Sequence, residues 1–154
     1  MAAPIVNAVL SFDWGTTIVG VLDVNAGIYT PYRGSKIIEG VLRLTECIGT
    51  IVSFNGNSYD LPRMAEYVGM TSMWEMRFRG SHDDMLDITS AILWPGPTPI
   101  VGSGGLEERF RRFCCDAELP TSPMPDDPYV DDNWRDCFMA AELWKKWKRG
   151  ELAA

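Results

Sequence analysis

The order of apolar runs predicts an α/β chain built on one mixed β-sheet, antiparallel at first and then parallel, flanked by helices. Two observations carry this reading. Before Gly34 the chain holds three short runs rich in Val, Ile, Leu and Tyr, separated by turn residues, the pattern of a hairpin extended into a meander. From Ser35 onward, helical spacing surrounds a continuous apolar run, the pattern of a crossover to a buried parallel strand.

Taken in order, Asn7–Phe12 and Thr17–Val24 are strands joined by the turn Asp13-Trp14-Gly15-Thr16. Asn25-Ala26 leads into a third strand, Gly27–Tyr32, which Pro31 and Gly34 bring to an end. Ser35 opens a helix whose apolar stripe is Ile37, Ile38, Val41, Leu42 and Leu44. Thr50–Phe54, bounded by Gly49 and by Asn55-Gly56, reads as a buried strand ending in a loop. A helix starts near Ser58, carries Leu61, Met64, Ala65 and Val68 on one side, and stops at Gly69, which suits a left-handed cap. Met70–Gly80 has no clear pattern. Helical spacing returns over Asp84–Trp94, with Met85, Ile88 and Ile92 on one face and Pro95-Gly96-Pro97 as the stop. Ser103 is the expected N-cap of a helix through Leu106, Phe110 and Phe113, with Glu107 and Glu108 at its positive end. Leu119–Asp127 contains three prolines and is read as irregular, and the last helix is expected from Asp131 to Lys148.

With 154 residues, 46% hydrophobic and 23% charged, the chain has the length of one domain and is too apolar to be disordered. It contains no uncharged apolar run of about 18 residues, the length that spans a bilayer. The segment Met1-Ala-Ala-Pro-Ile-Val lacks the basic flank of a secretory signal, so a cytoplasmic location is expected. Cys47, Cys114, Cys115 and Cys137 form no C-x-x-C pair, and with the single histidine His82 they make a structural zinc site improbable. They suit a reducing compartment, as small core residues. A net charge of -7 argues against a protein that coats duplex DNA by charge alone, but agrees with carboxylates gathered to hold a cation.

Three aspartates stand where chemistry is often placed: Asp13 at the end of the first strand, Asp60 at the start of a helix and Asp136 on the last helix. Any one of them alone is more often a turn or helix cap. Context raises them together. Ile51-Val-Ser-Phe-Asn-Gly-Asn-Ser-Tyr-Asp-Leu-Pro62 resembles the second motif of the DEDD-type 3′-to-5′ exonucleases, in which a strand ends in Asn-Gly and an aspartate follows within a helical turn. His82-Asp-Asp-Met-Leu-Asp87 resembles a stretch of the group related to the proofreading domain of family-B DNA polymerases. Asp136-Cys-Phe-Met-Ala-Ala-Glu-Leu143, followed by Arg149-Gly-Glu-Leu152, resembles that group's third motif and tail.

The resemblance implies an RNase H-like fold and hydrolysis of phosphodiester bonds at DNA ends, single-stranded DNA foremost, with two magnesium or manganese ions held by carboxylates. Asp13, Asp60 and Asp136 would bind the metals, and Asn55, Trp14 and Phe54 would contact the terminal nucleotide. The first motif of the family is Asp-x-Glu, whereas Gly15 stands here at the place of the glutamate, and Asp132 and Asp131 stand where the third motif has a tyrosine or histidine. One reading gives Asp131 or Asp132 a metal-binding or water-positioning role, with Asp13, Asp60, Asp132 and Asp136 as a rearranged catalytic quartet and Glu39 a weaker substitute. A second makes the chain an inactive relative that binds nucleic acid or a replication or defence protein. A third takes Asp13-Trp-Gly-Thr16 as the turn of Holliday-junction resolvase-like nucleases of the same fold.

Two basic groups, Arg109 with Arg111 and Arg112, and Lys145, Lys146, Lys148 and Arg149 around Trp144 and Trp147, could follow a phosphate backbone. The simpler account puts Trp144 in the core with the lysines on the solvated side. His82 is expected to be a hydrogen-bonded structural residue and the Cys114-Cys115 pair packing; Asp84 and Asp87 could support the metal-binding residues from behind, although a helix cap is the simpler account of Asp84.

Overall fold

The computed structural model describes residues 3–13, 15–69, 80–96 and 105–153. Five strands form one sheet in the order β3-β2-β1-β4-β5. The first three, β1 (Ala8–Asp13), β2 (Ile18–Asp23) and β3 (Ile28–Arg33), make the expected antiparallel meander. The β2–β3 turn is held by the Asp23 carboxylate, which accepts from the Asn25 and Ala26 N–H groups at 3.1 Å each. After a single 3₁₀ turn, Gly34–Lys36, helix α1 (Ile37–Thr45) carries the chain to β4 (Thr50–Ser53), which pairs parallel to β1.

A π-helical turn, Gly56–Asp60, leads into α2 (Leu61–Tyr67), and Gly69 at φ +80° ends it as the sequence suggests. Strand β5 (Ser81–Asp84) pairs parallel to β4, followed by α3 (Met85–Leu93), α4 (Leu106–Phe113) and α5 (Pro128–Lys148). Strand β5 was not foreseen. Its sequence Ser-His-Asp-Asp lacks apolar alternation, and it is a strand because β4 supplies a parallel edge in register Thr50↔Ser81 to Ser53↔Asp84. The expected N-cap Ser103 lies outside the described residues; α4 has Gly105 at its cap position. Helix α5 begins three residues before the predicted start because Asp127 caps it, accepting from Tyr129 N–H at 3.1 Å and Val130 N–H at 3.2 Å.

Alternation along the strands places an apolar core on each face of the sheet. Ala8, Leu10, Phe12, Val19, Val21 and Ile51 pack with α1 and α2, while Val9, Leu22 and Val52 pack with α3, α4 and α5. The α1 stripe is narrower than its sequence suggests: Ile37, Val41 and Leu44 are buried, whereas Ile38 and Leu42 are more than half exposed. Trp144 is core, and its Nε1–H donates to Asp83 Oδ2 at 2.9 Å. All four cysteines are free, and only Cys115 is exposed. Among the described residues no helix is long and apolar enough to cross a membrane.

Candidate functional site

Strands β1 and β4 pair only through Ala8↔Ile51 and Val9↔Val52. Beyond Val9 the β4 side of β1 is open, because the chain leaves β4 after Ser53 to make the π turn. The chain also reverses direction across the sheet here, since β2 and β3 build outward on one side of β1 and β4 and β5 on the other. Ligand sites in α/β sheets favour such switch points at strand C-termini. A cleft of about 150 Å³ lies there, lined by Leu10, Ser11, Phe12, Phe54, Asp60, Leu106, Asp136 and Ala140. Organic-ligand pockets typically run to roughly 300–1,000 Å³, so this cleft suits an ion or a terminal group rather than a whole cofactor.

Asp60 enters the cleft from the α2 side. The π turn is closed by the Leu61 N–H on the Gly56 carbonyl and by the Tyr59 N–H on the Asn55 carbonyl at 2.9 Å; Pro62 next in sequence has no N–H to offer. Asn55 starts the turn in the left-handed region at φ 65°, which an asparagine tolerates. Gly56 is needed for space, since a Cβ there would sit 2.2 Å from Ser53 Oγ. Asp60 is 6% exposed. Burial raises its carboxyl to about 8, with Asp84 and Asp136 adding repulsion and the Phe12 backbone amide opposing them.

Asp136 enters from the other face, on α5. That helix is seated by Asn133, one turn earlier: its Nδ2 donates to the Ser11 carbonyl at 3.1 Å, and its Oδ1 accepts from Tyr29 Oη–H at 2.7 Å. Gly20 leaves room for Asn133, since a Cβ there would lie 1.8 Å from Asn133 Oδ1. Burial holds the Tyr29 phenol far above its ordinary range, so it stays a donor. Desolvation against the cleft wall raises the Asp136 carboxyl to about 6, and the nearby charges of Asp132, Asp13 and Glu107 add to the rise. Asp136 itself faces solvent at the mouth of the cleft, where water screens part of these interactions.

The structure therefore brings Asp60 and Asp136 to one cleft and leaves the other two aspartates beside it. Asp13 Oδ1 accepts the Thr16 N–H at 3.3 Å, so its carboxylate serves the β1–β2 turn while remaining near enough to act on Asp136 by charge. Asp132 is exposed and acts on Asp136 in the same way, not as a lining residue. Among the described residues no three His, Cys, Asp or Glu side chains are grouped to hold a metal ion. Phe54 lines the cleft, but the Arg109 guanidinium lies 5.5 Å over its ring, which narrows the surface available to a base. Trp14 lies outside the described residues.

Two further readings change. Arg109 does not belong to a basic surface: it is 2% exposed, and its Nη1 donates to the Leu86 carbonyl at 3.0 Å, Thr89 Oγ1 at 2.8 Å and Ser90 Oγ at 2.7 Å. Glu39 is exposed in the first turn of α1, and is not among the residues lining the cleft. His82 is hydrogen-bonded, as expected, its Nε2 2.7 Å from Ser53 Oγ; burial lowers the pKa of the imidazole against the pull of Asp84, Asp83 and Asp87.

Asp84 does more than cap a helix. It caps α3 by accepting the Leu86 N–H at 3.0 Å, and the same carboxylate accepts Asn55 N–H at 2.7 Å and Asn57 N–H at 3.1 Å. An aspartate before a helical pattern signals the cap, but nothing local signals a partner loop 29 residues away.

No known protein family matches the chain, and no curated protein matches it.

Proposed function

We propose that the protein is a metal-dependent 3′-to-5′ exonuclease of RNase H-like fold, acting on DNA ends. The observation that carries this reading is the meeting of Asp60 and Asp136, from opposite faces of the sheet, in a small cleft at the open C-terminal end of β1. The strand order β3-β2-β1-β4-β5, in which β2 runs against the other four strands, supports this reading, as does the succession of Asn55-Gly56 and Asp60 after β4.

The donor set fits a hard divalent cation. Two carboxylates share a cleft in which burial and neighbouring acidic groups oppose their ionisation, and a cation reverses both penalties. When bound there, magnesium or manganese supplies Lewis acidity toward a phosphodiester oxygen and lowers the pKa of an attacking water. Asp60 and Asp136 would hold it. Leu10, Leu106, Ala140 and Phe54 form the apolar part of the wall, which strengthens electrostatic interactions at the buried Asp60 end of the cleft. Asp13 accepts the Thr16 N–H on Oδ1 alone, in a long and weak bond at 3.3 Å, which leaves lone pairs with which it could serve as a further ligand.

One observation favours a second reading, a binding module without activity: Asp13 is engaged in its turn, and Gly15 offers no carboxylate beside it. A nuclease assay on 3′-labelled and 5′-labelled single-stranded DNA with manganese, run beside Asp60→Asn and Asp136→Asn, separates the two. Stepwise shortening from the 3′ end that is lost in both variants supports the exonuclease. An intact substrate at high concentrations of folded protein rejects it.

A further inference from the structure

Two carboxylates on the β5–α3 side reach the turn bearing Asp60: Asp87 Oδ2 accepts from Asn57 Nδ2 in a long, exposed bond of 3.3 Å, and Asp84, which is 5% exposed, takes the backbone of the turn. A carboxylate has about four lone-pair sites, and three of them are occupied here by N–H groups from two separate segments. The Leu86 N–H belongs to the start of α3, whose dipole also favours the negative charge. The Asn55 and Asn57 N–H groups belong to the left-handed entry and first residues of the π turn. A single wide turn separates Asn57 from Asp60, so the orientation of Asn55–Asn57 sets where the Asp60 carboxyl points. Gly56, between the two bonded amides, lies close against Ser53, with no room for a Cβ.

We propose that Asp84 is a positioning residue for Asp60, a latch whose carboxylate locks the Asn55–Asn57 backbone onto the start of α3 and thereby aims Asp60 into the cleft. Serine in its place would still cap α3, but is too short to reach the loop; asparagine would keep one acceptor oxygen for Asn55 and Leu86 and turn an amide against the Asn57 N–H. The consequence for catalysis rests on the exonuclease reading, whereas the latch does not.

The test measures amide hydrogen exchange at Asn55 and Asn57 by NMR, and manganese binding by the electron paramagnetic resonance of the free ion, in the wild-type chain, Asp84→Ser and Asp84→Asn. In Asp84→Ser both amides should exchange about tenfold faster or more, as expected for loss of charge-assisted bonds, with α3 amides still protected and manganese affinity reduced about tenfold. In Asp84→Asn the loss should fall on Asn57 and spare Asn55, which keeps the proposal testable even when the serine variant does not fold. Unchanged exchange at both amides in the variants overturns the latch. Faster exchange with unchanged manganese affinity overturns its role in aiming Asp60. If the wild-type chain itself binds no manganese, the exonuclease reading fails, and the exchange pattern alone decides the latch.

Discussion

Replacing Asp60 by asparagine will stabilise the protein at neutral pH when divalent ions have been removed by a chelator. In the unfolded chain the Asp60 carboxyl titrates near 3.8; in the folded protein burial, then Asp84 and Asp136, raise it to about 8. Between these values the folded state keeps a proton that the unfolded state releases. Each pH step above 3.8 therefore favours unfolding by about 1.4 kcal/mol, and the stability present below the unfolded pKa drains away until pH passes the folded one. At pH 7 the accumulated cost approaches about 4 kcal/mol, and water entering the open cleft brings it to about 2 kcal/mol. Asparagine is neutral at every pH and escapes the cost. For a chain of this size 2 kcal/mol corresponds to a rise in Tm of roughly 4–8 °C. Thermal melts at pH 4 and pH 7 with chelator present measure it: the variant and the wild type should melt together at pH 4 and diverge by pH 7. Manganese should raise the wild-type Tm at pH 7 and leave the variant unmoved. A variant less stable than wild type at pH 7 by as much as at pH 4 would refute the reasoning, since it would mean that the buried carboxyl is not held neutral.

Manganese affinity should climb with pH, steeply below about 6 where Asp136 and Asp60 both release protons, more gently up to about 8 where Asp60 alone does, and level off above; calorimetry in buffers of different ionisation enthalpy counts the protons released. Gly20→Ala drives a methyl into Asn133 and should cost about 2–3 kcal/mol in denaturant unfolding, with manganese binding weakened because α5 carries Asp136. Arg109→Ala should lower stability by about 3 kcal/mol, whereas Arg111→Ala, whose exposed side chain pairs with the exposed Glu107, should change it by less than about 0.5 kcal/mol; urea midpoints distinguish the two.

Local chemistry is where the sequence spoke clearly. The meander, the helix stop at Gly69, the core role of Trp144 and the hydrogen-bonded state of His82 each depend on neighbours in sequence or on side-chain type, and each stands in the fold. Asp60 and Asp136 were also legible, because strand, Asn-Gly turn and aspartate follow one another within a few residues, and because the Asp136 helix face repeats at Ala140 and Leu143. Three matters were decided only when the chain closed. Strand β5 exists because β4 offers it an edge, not because Ser-His-Asp-Asp favours extension. Arg109 belongs to the interior because Leu86, Thr89, Ser90 and Phe54 surround it, although its sequence neighbours Arg111 and Arg112 lie at the surface. Asp84 reaches across to Asn55 and Asn57 by virtue of the parallel register of β4 and β5, which sets Asp84 opposite Ser53. Periodicity and capping act over a few residues and are written in order along the chain. The value of a charge, and the partner a carboxylate finds, depend on burial and on segments far away in sequence, and those are fixed only by the packed sheet.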